Sequence, residues 1–510
     1  SDSDDEILYH CLVNYINQNN TLFLKPSDIG YSNEKFLELK NKFNEKLLRI
    51  NSYYWNQKII EKNGYYTIEN YYNSTINVIK KAEGLCEIKN EQINNDYSDN
   101  NILSDEQKNV LRSAFMNSSI ALITGAAGTG KTTLIKEFIK NNSNKRILCL
   151  TTTNTANNNL KIKDFVGDIT YKNISQFERE KTHGLYDIII VDEASFVSTM
   201  SIEKILNAFV NGLYLFVGDP YQIESIDFGN WFDLLLNLLE SKKVVYTLDI
   251  GYRTKVNELS KIWSEVRDGK KNDILEKLSA FEMTEEISDD IFCIRENEIV
   301  LCLNYDGLYG INNINRYLQA SNPNVPYEYQ QNMYKVDDPV IFITNDYSDY
   351  GIYNNLSGKI VKIAEKNENI LFKIELFDKV SYTGVLSEEI KIVEEDSKHY
   401  AIVKKIKYYN DKYDFDMDTR TKLPFQISYA MSIHKSQGLE FDSVKIVITK
   451  EAGEHVTKNV FYTAVTRAKK KLKIYWQPEV ANYILDSIEN STSSKSIDLS
   501  ILTEETRKYK

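Results

Sequence analysis

Apolar and polar positions follow two alternating patterns in the middle of the chain. Four short apolar runs are typical of buried parallel strands, and segments with helical spacing lie between them. The four runs are Ser119–Thr124, Arg146–Thr151, Tyr186–Val191 and Leu213–Val217. Strands that alternate with helices predict a doubly wound parallel sheet, whose ligands bind at the carboxyl ends of the strands. Polar motifs follow the runs at that end, so the sequence predicts a binding site there.

The first run leads into a glycine-rich loop. Gly125–Thr132 reads GAAGTGKT, which fills the pattern G-x-x-x-x-G-K-[ST], and Thr133–Lys140 continues with helical spacing. Glycines let backbone N–H groups face a phosphate, and the positive end of the following helix lies beneath it. A chance match in a glycine-rich turn is disfavoured by this order of strand, loop and helix. We expect Lys131 on the β- and γ-phosphates and Thr132 on Mg²⁺. The expected nucleotide contacts in this loop are Gly125, Ala126, Ala127, Gly128, Thr129, Gly130, Lys131, Thr132 and Thr133.

Two further strand ends carry acids and an amide. Asp192 and Glu193 follow the third run, where we expect Asp192 to hold Mg²⁺ through water and Glu193 to polarise an attacking water. Asp219 and Gln222 follow the fourth run. We expect Asp219 to join the ligands around Mg²⁺ and Gln222 to sense the γ-phosphate. The alternative for the segment Gly218–Gln222 is a plain β-turn, because Gly-Asp-Pro is good turn chemistry.

Two motifs flank this region, and each has a structural alternative. Ser104–Gln107 precedes a helical pattern, where Gln107 either closes a capping box or reads adenine, and the two roles are compatible. Arg253 follows the expected first sheet as either a solvated charge or an arginine finger. The run TTTNTANNNL at Thr151–Leu160 is, taken alone, a loop and a helix start.

The remainder of the chain predicts a second α/β domain with a β-rich insertion. Ile299–Leu303 is a candidate strand, and a helix carrying Ala430 and Ile433 is expected before a polar loop. Asn459–Lys471 is expected to be a helix with Arg467 near its end, where Lys469–Lys471 would be cations at a helix C-terminus. Near the N-terminus we expect helices over 5–18, 33–49 and 71–82, with short strands around Asn63-Gly64 and a polar linker over 90–101.

Composition and charge limit the classes of function. The net charge of −11 and pI of about 5.3 disfavour a protein that coats duplex DNA, so any nucleic acid would be held in a local groove. Five widely spaced cysteines without a C-x-x-C motif fit reduced thiols, and we expect no structural metal. No apolar run is long enough to span a bilayer, and the acidic first residues lack the pattern of a signal peptide. We therefore expect a cytoplasmic protein without a membrane partner.

The order of these motifs resembles that of the superfamily 1 helicases. Eight motifs follow one another between residues 104 and 476. In order they are Gln107, the phosphate loop, TTTNTA, VDEAS, GDPYQ, GYRT, SIHKSQGLEF and YTAVTRAKKK. The HKSQG form and the VTRAKKK ending are most similar to the RecD-like and Dda-like branch, which moves 5′→3′ on single-stranded DNA. The resemblance implies two RecA-like doubly wound domains that close on one ATP with Mg²⁺, a small all-β, SH3-like insertion and a helical N-terminal region.

The resemblance also implies roles for individual residues. Gln222, Arg253 and Arg467 would contact the γ-phosphate, and Tyr252 would stack on the base unless it is a core tyrosine. Gly438 and Glu440 would belong to the nucleotide site. The residues expected along single-stranded DNA are Thr153, Asn154, Ser175, His434, Lys435 and Ser436.

These motifs and patterns predict five regions. They are an N-terminal accessory domain over 1–95, a first RecA-like domain over 102–247, a second over 248–344 and 425–480, an insertion over 345–424 and a flexible tail over 481–510.

The chain departs from the branch in three places. Thr152 stands where a proline is usual, and Asn173–Ser175 replaces Thr-Ile-His. Only SQFEREKTHGLY lies where the branch inserts a β-hairpin pin, so we expect the strand-separating pin to be missing or vestigial. Two alternatives to an independent DNA translocase remain. One is an ATPase subunit of a larger nuclease-type complex, docked through residues 1–95, and the other is an RNA translocase, which the HKSQG form disfavours.

Overall fold

The chain divides into two compact units. The computed structural model describes residues 3–49, 57–89, 93–162, 165–209, 211–225, 227–249, 257–293, 297–344, 346–347, 350–380, 388–406, 422–490 and 492–507. The first unit consists of Ser1–Thr153, Leu160–Arg253 and Ile488–Lys510, and the second of Asn154–Asn159 and Thr254–Ser487. Tyr252 and Arg253 lie outside the described residues, so their roles stay predictions.

A six-stranded parallel sheet forms the centre of the first unit, as the alternating pattern predicts. From edge to edge its strands are Ile169–Asn173, Ile147–Thr151, Ile188–Val191, Leu213–Gly218, Ile120–Gly125 and Val245–Leu248. The inner strands are apolar along nearly their whole length because both faces of the sheet are covered. The helices are Asp105–Ser113, Lys131–Asn141, Ile174–Arg179, Thr199–Ala208 and Trp231–Leu238, with 3₁₀ turns at Ala194–Phe196 and Glu240–Lys242.

The N-terminal region packs into the same hydrophobic core as one face of this sheet. It contains the three predicted helices and the predicted hairpin. These elements are Asp4–Asn19, Asn33–Arg49, Ile59–Lys62, Tyr65–Ile68 and Glu69–Cys86, with a 3₁₀ turn at Pro26–Ile29. Leu12, Ile79 and Phe216 are members of one core, so the N-terminal region is built onto the first unit.

The flexible tail expected over residues 481–510 is wrong for the described part of that range. Residues 492–507 form the helix Thr492–Arg507, which buries Ile501 and Leu502 in the core of the first unit. The helix Pro478–Asn490 buries Ile484 and Leu485. The polar run around residue 492 hides apolar positions at helical spacing further on, and their burial outweighs the ordering entropy of the chain.

A second parallel sheet, of five strands, forms the α/β part of the second unit. Its order is Ala430–Ser432, Glu298–Cys302, Phe441–Val447, Ala468–Tyr475 and Thr284–Glu285. The helices of this unit are Asn154–Leu160, Asn257–Asp268, Lys271–Ala280, Ile311–Ala320, Lys450–Gly453, Lys458–Val465 and Pro478–Asn490, with 3₁₀ turns at Asp289–Phe292 and His434–Ser436.

One helix predicted for this part of the chain is wrong, and another is predicted too long. Ala430 and its neighbours form a strand that pairs with Glu298–Cys302. The helix expected over Asn459–Lys471 ends at Val465, and a strand begins at Ala468. Lys469–Lys471 therefore lie on a strand and not at a helix C-terminus. In both cases pairing with a distant strand overrides the local helical pattern.

A six-stranded antiparallel sheet makes up the insertion. Its order is Ile390–Glu395, Lys398–Ile406, Asn369–Leu376, Ser357–Lys366, Pro339–Phe342 and Phe425–Ile427. A small hairpin, Tyr327–Tyr329 with Asn332–Tyr334, precedes it. The sheet begins before residue 345 and ends after residue 424, so the predicted limits of the insertion are too narrow. The reason is that Pro339–Phe342 pairs with strands on both of its sides.

Candidate nucleotide site and nucleic-acid residues

The loop after the strand Ile120–Gly125 has the backbone that a phosphate site requires. Gly128 and Gly130 have φ angles of 84° and 78°, in the left-handed region that favours glycine. A side chain on Gly125 would meet Thr129 Oγ1 at 2.5 Å. The helix that follows has no side-chain cap at its N-terminus, so its first N–H groups are available to an anion. This loop fits the phosphates of a nucleotide.

The side chain of Lys131 lies over its own loop. Its Nζ donates hydrogen bonds to the carbonyl oxygens of Gly125, at 2.6 Å, and Ala126, at 2.9 Å. Thr132 is half-buried beside it at the start of the helix. The lysine charge is thus held at the carboxyl end of the central strand, where the sequence predicts the phosphates.

Asp192 and Glu193 follow the neighbouring inner strand. Asp192 is buried, and its Oδ1 accepts a hydrogen bond from the backbone N–H of Glu193 at 2.9 Å. Burial and, to a smaller extent, the nearby charge of Glu193 raise the pKa of Asp192 to about 7, against the lowering by the Glu193 N–H and by Lys131. A divalent cation would favour the ionised carboxylate. Asp192 and Thr132 therefore supply oxygen ligands of the kind that Mg²⁺ takes.

Glu193 is positioned by a residue whose role the sequence did not reveal. The hydroxyl of Thr152 donates to Glu193 Oε2 at 2.9 Å, and Glu193 itself has a left-handed backbone with φ 52°. Sequence reasoning treated Thr152 only as a departure from the usual proline. The signal that was available is the run Thr151–Thr153, which ends the strand Ile147–Thr151 and continues past it. This strand lies next to the strand Ile188–Val191 in the sheet.

Asp219 and Gln222 follow the strand Leu213–Gly218, which lies between the strand that precedes Asp192 and the strand that precedes the phosphate loop. The strand Leu213–Gly218 pairs on one side with Ile188–Val191 and on the other with Ile120–Gly125. Asp219 is buried, and its Oδ2 accepts from Gln222 Nε2 at 3.3 Å. The predicted β-turn and the predicted polar site therefore coincide, because the turn holds the glutamine amide beside the acid.

Gln107 has the capping role that was one of its two alternatives. Its Oε1 accepts from the N–H of Ser104 at 3.1 Å, and Ser104 Oγ accepts from the N–H of Gln107 at 3.1 Å. Its Nε2 donates to the carbonyl oxygens of Thr129, at 3.1 Å, and Gly130, at 3.4 Å. The buried amide thus joins the capped helix to the phosphate loop, and adenine reading stays a prediction.

In the second unit, Arg467 is buried among backbone carbonyls. Its side chain is 2% exposed, and it donates from Nε to Thr463 O at 3.0 Å and from Nη1 to Leu439 O at 3.0 Å. Nη2 also donates to the hydroxyl of Thr466 at 3.3 Å. The guanidinium therefore ties the loop that carries HKSQG to the helix Lys458–Val465.

The HKSQG loop contains residues of different exposure. His434 is exposed and Lys435 is half-buried, whereas Ser436 is fully buried and its hydroxyl donates to Ile433 O at 2.7 Å. Gly438 has a φ of 73°, which favours glycine. Glu440 forms an ion pair with Lys469 at 3.6 Å. The buried position of Ser436 gives its side chain a structural role in holding this loop.

Three further residues predicted along the nucleic acid lie near strand ends. Thr153 accepts a hydrogen bond through its carbonyl oxygen from the Thr151 hydroxyl at 2.8 Å. Asn154 begins the helix Asn154–Leu160. Ser175 is exposed in the first turn of a helix that Asn173 caps. Asn173, which replaces the usual first residue of that motif, therefore has a local structural role.

Two family models match the chain. An AAA domain matches residues 102–289, and a UvrD-like helicase C-terminal domain matches residues 428–475. An uncharacterised protein of Methanocaldococcus jannaschii is 25% identical in an alignment of 473 positions that covers 75% of this chain and 38% of that protein. The RecBCD enzyme subunit RecD of Buchnera aphidicola is 22% identical and covers 75% of both chains. The ATP-dependent DNA helicase Pif1 of Campylobacter jejuni is 25% identical, over 69% of this chain and 88% of its own.

Among solved structures, Bacteroides Pif1 bound to single-stranded DNA matches with a TM-score of 0.46 and 17% identity, over 78% of this chain and 98% of its own. The two family models follow the order of the motifs along the sequence. The family models and the named relatives support a superfamily 1 helicase of the branch that contains RecD and Pif1.

The described residues contain neither a candidate membrane span nor a candidate metal-binding cluster of side chains. No helix within the described residues is long and apolar enough to cross a membrane. In the same part of the chain, no group of three or more histidine, cysteine, aspartate or glutamate side chains is arranged to hold a metal ion. The candidate Mg²⁺ site is of the other kind, in which a nucleotide supplies further ligands.

Proposed function

We propose that the chain is an ATP-dependent motor that moves 5′→3′ along single-stranded DNA and acts as a DNA helicase. The observation that carries the proposal is the grouping of Lys131, Asp192, Glu193 and Gln222 at adjoining strand ends of one sheet. The names of the relatives, RecD of the RecBCD enzyme and the ATP-dependent DNA helicase Pif1, support it.

Each residue of the group has a distinct role in this proposal. ATP bound with Mg²⁺ supplies the phosphoanhydride bond whose hydrolysis drives movement. Lys131 would exchange its two carbonyl partners for the β- and γ-phosphates, and Thr132 and Asp192 would hold the cation. Glu193, oriented by the Thr152 hydroxyl, accepts the proton of the attacking water. Gln222, Arg253 and Arg467 stabilise charge on the γ-phosphate, and Gln107, Gly438 and Glu440 complete the nucleotide site.

The track for the nucleic acid would use side chains of modest charge. His434 and Ser175 are exposed, and Lys435 is half-exposed, so their polar atoms can meet a single strand together with Thr153 and Asn154. Hydroxyl, amide and backbone groups are suited to positioning a sugar-phosphate backbone. This accounts for how a protein with net charge −11 can hold DNA.

We also propose that the strand-separating pin is missing. Residues 174–179 form a helix, and residues 180–187, all of them described, contain no strand. This segment supports the expectation from the sequence. The isolated chain should then translocate well and unwind a forked duplex poorly.

The first experiment is steady-state ATP hydrolysis with single-stranded DNA, single-stranded RNA or neither. We expect strong stimulation by DNA, its loss in Lys131→Ala, and its retention in Lys140→Ala, whose ammonium pairs with Glu137 on the same helix. Stimulation by RNA alone would favour the RNA translocase. A rate indifferent to both nucleic acids would contradict an independent motor.

Polarity and unwinding need separate assays. Displacement of streptavidin from the 3′ end of a biotinylated strand, and not from the 5′ end, is expected of a 5′→3′ motor. Under the same conditions, a forked duplex should open slowly. Rapid unwinding of the fork by the chain alone would refute the proposal of a missing pin.

A second function is an ATPase subunit of a larger DNA-processing assembly. The relative named as a RecBCD subunit favours it, and residues 1–95 are the proposed docking region. Because this region shares a core with the ATPase sheet, a bound partner would act directly on the first unit. Co-purification of a stable nuclease partner, with ATPase activity that depends on it, would favour this function.

A further inference from the structure

Three side chains from outside the parallel sheet bind one short segment behind the candidate site. Asn17 and Asn20 accept hydrogen bonds, at 3.1 and 2.9 Å, from the first two N–H groups of the segment Phe228–Asn230. Asp498 accepts from the side chain of Asn230 at 2.9 Å. We name Asn17, Asn20 and Asp498 the brace. Asn17 lies in the first helix of the chain, Asn20 caps the C-terminus of that helix, and Asp498 lies in the C-terminal helix.

The carboxylate of Asp498 also joins the two ends of the chain. It is fully buried and accepts from the N–H groups of Leu22, at 2.6 Å, and Phe23, at 3.1 Å, and from the hydroxyl of Thr21 at 3.1 Å. Burial of such a group requires that its hydrogen bonds be made. With Asn230, four donors meet this one carboxylate, so the N-terminal region, the C-terminal helix and the ATPase sheet share a single buried centre.

The braced segment is locked in turn to the backbone that follows the two acids. Phe228 O accepts from the N–H of Thr199 at 3.0 Å, and Trp231 Nε1 donates to Val197 O at 2.7 Å. A side chain at Gly229 would meet Val197 O at 2.9 Å, and it would also run into the Ser225 hydroxyl. The segment 197–199 begins only four residues after Glu193, and the segment 228–230 follows the Gln222 turn in the chain.

We infer that the brace is a positioning device for ATP hydrolysis, through which the N-terminal region and the C-terminal helix set the placement of Glu193 and Gln222. The inference rests on the proposed ATPase function. The phosphate loop is held separately, by Lys131 and Gln107. The brace therefore acts on kcat and leaves nucleotide affinity nearly unchanged, and any partner that binds the N-terminal region can alter the turnover of the motor.

The main test is Asn20→Ala, which removes the acceptor for one N–H of the braced segment and keeps the Asp498 centre. Coupling of this kind is worth about 0.5–2 kcal/mol, so we expect kcat to fall about two- to thirty-fold, with KM for ATP within about two-fold. Hydrogen exchange should quicken at residues 193–199 and 219–225 as well as at 228–230.

The matched control is Glu505→Gln on the same C-terminal helix. Glu505 accepts from Tyr72 at 2.6 Å and pairs with Lys62 at 3.3 Å, and so joins the same two ends of the chain through other partners than those of the brace. Below its melting temperature this variant should keep the wild-type kcat. A second variant, Gly229→Ala, retains the brace residues and presses a methyl group against Val197 O, and it should also lower kcat at constant KM.

Two results would overturn the inference. One is an unchanged kcat in both Asn20→Ala and Gly229→Ala, and the other is an equal loss in Glu505→Gln. If the wild-type chain hydrolyses no ATP, the proposed function fails. The hydrogen-exchange measurement then still tests whether the brace positions the two segments. In that event, unchanged exchange at residues 193–199 and 219–225 in Asn20→Ala refutes it.

Discussion

Lys131 in the first unit and Arg467 in the second are both cations that donate hydrogen bonds to backbone carbonyl oxygens, but they differ in burial. The lysine is half-buried, with two carbonyl partners at the entrance of a helix. The arginine is 2% exposed and bonds Thr463 and Leu439 inside the protein. Water can replace the ammonium of Lys131, whereas the partners of Arg467 would be left buried and unsatisfied.

This difference indicates that the proposed site residues contribute little to stability in the first unit and much more in the second. In the first unit, the polar residues at the strand ends are held by short local contacts that the sheet does not need for its core. In the second unit, the shape of the HKSQG loop depends on the same guanidinium that is proposed to contact the γ-phosphate. Substitutions should therefore separate activity from stability in the first unit and not in the second.

The largest effect is expected for Glu193→Gln. Removal of a general base costs about 10²- to 10⁴-fold in turnover, so ATP hydrolysis should nearly cease. The amide oxygen can still accept from Thr152, so the melting temperature and nucleotide binding should be retained. Glu178→Gln is the control, because Glu178 bonds Ser201 and Lys204 away from these strand ends. Normal hydrolysis by Glu193→Gln would remove this residue from the mechanism.

Arg467→Ala should lower both activity and stability. Loss of the guanidinium leaves buried carbonyl groups without donors, at a cost of about 1–3 kcal/mol for each. Urea unfolding followed by a probe in the second unit should show the loss. Lys470→Ala is the control on the adjacent strand, since its ion pair with Asp442 is largely exposed and worth little. Wild-type stability of the Arg467→Ala variant would contradict the proposed difference between Arg467 and Lys131.

A smaller effect is expected for Thr152→Val. The hydroxyl orients Glu193 but takes no part in bond making, so kcat should fall about three- to ten-fold, since one hydrogen bond is worth about 1 kcal/mol. Thr152→Ser keeps the hydroxyl and should keep most of the rate. Equal rates for valine and serine would show that Glu193 is positioned by its backbone alone.

A pH dependence of stability is expected at the brace. Burial raises the pKa of Asp498 from 3.8 to about 7, against the lowering by its four donors. The folded state then binds this proton more tightly than the unfolded state, so the stability that it contributes is present at pH 4 and is lost as the pH rises through 7. The melting temperature of wild type relative to Asp498→Asn should therefore decline between pH 5 and 7.5. A constant difference would contradict the raised pKa.

Prediction from sequence worked where a local pattern and its physical requirement coincide. The glycines of the phosphate loop, the buried runs of the first sheet and the capping box at Ser104 each follow from backbone geometry that few residue types can satisfy. Prediction failed at Ala430 and Ala468, where strand pairing with residues far away in the chain replaced a helical pattern. It failed for residues 492–507 because a polar start concealed the buried Ile501 and Leu502.

The sequence by itself determined the order of the motifs, the family resemblance that they carry and the chemical types at the strand ends, because these depend on local spacing. Only the tertiary structure decided that Thr152 holds Glu193, that Arg467 is buried, and that Asp498 meets Thr21, Leu22, Phe23 and Asn230. These contacts join residues up to 477 positions apart. Their partners are selected by packing of the whole unit, which no local pattern of polar and apolar residues records.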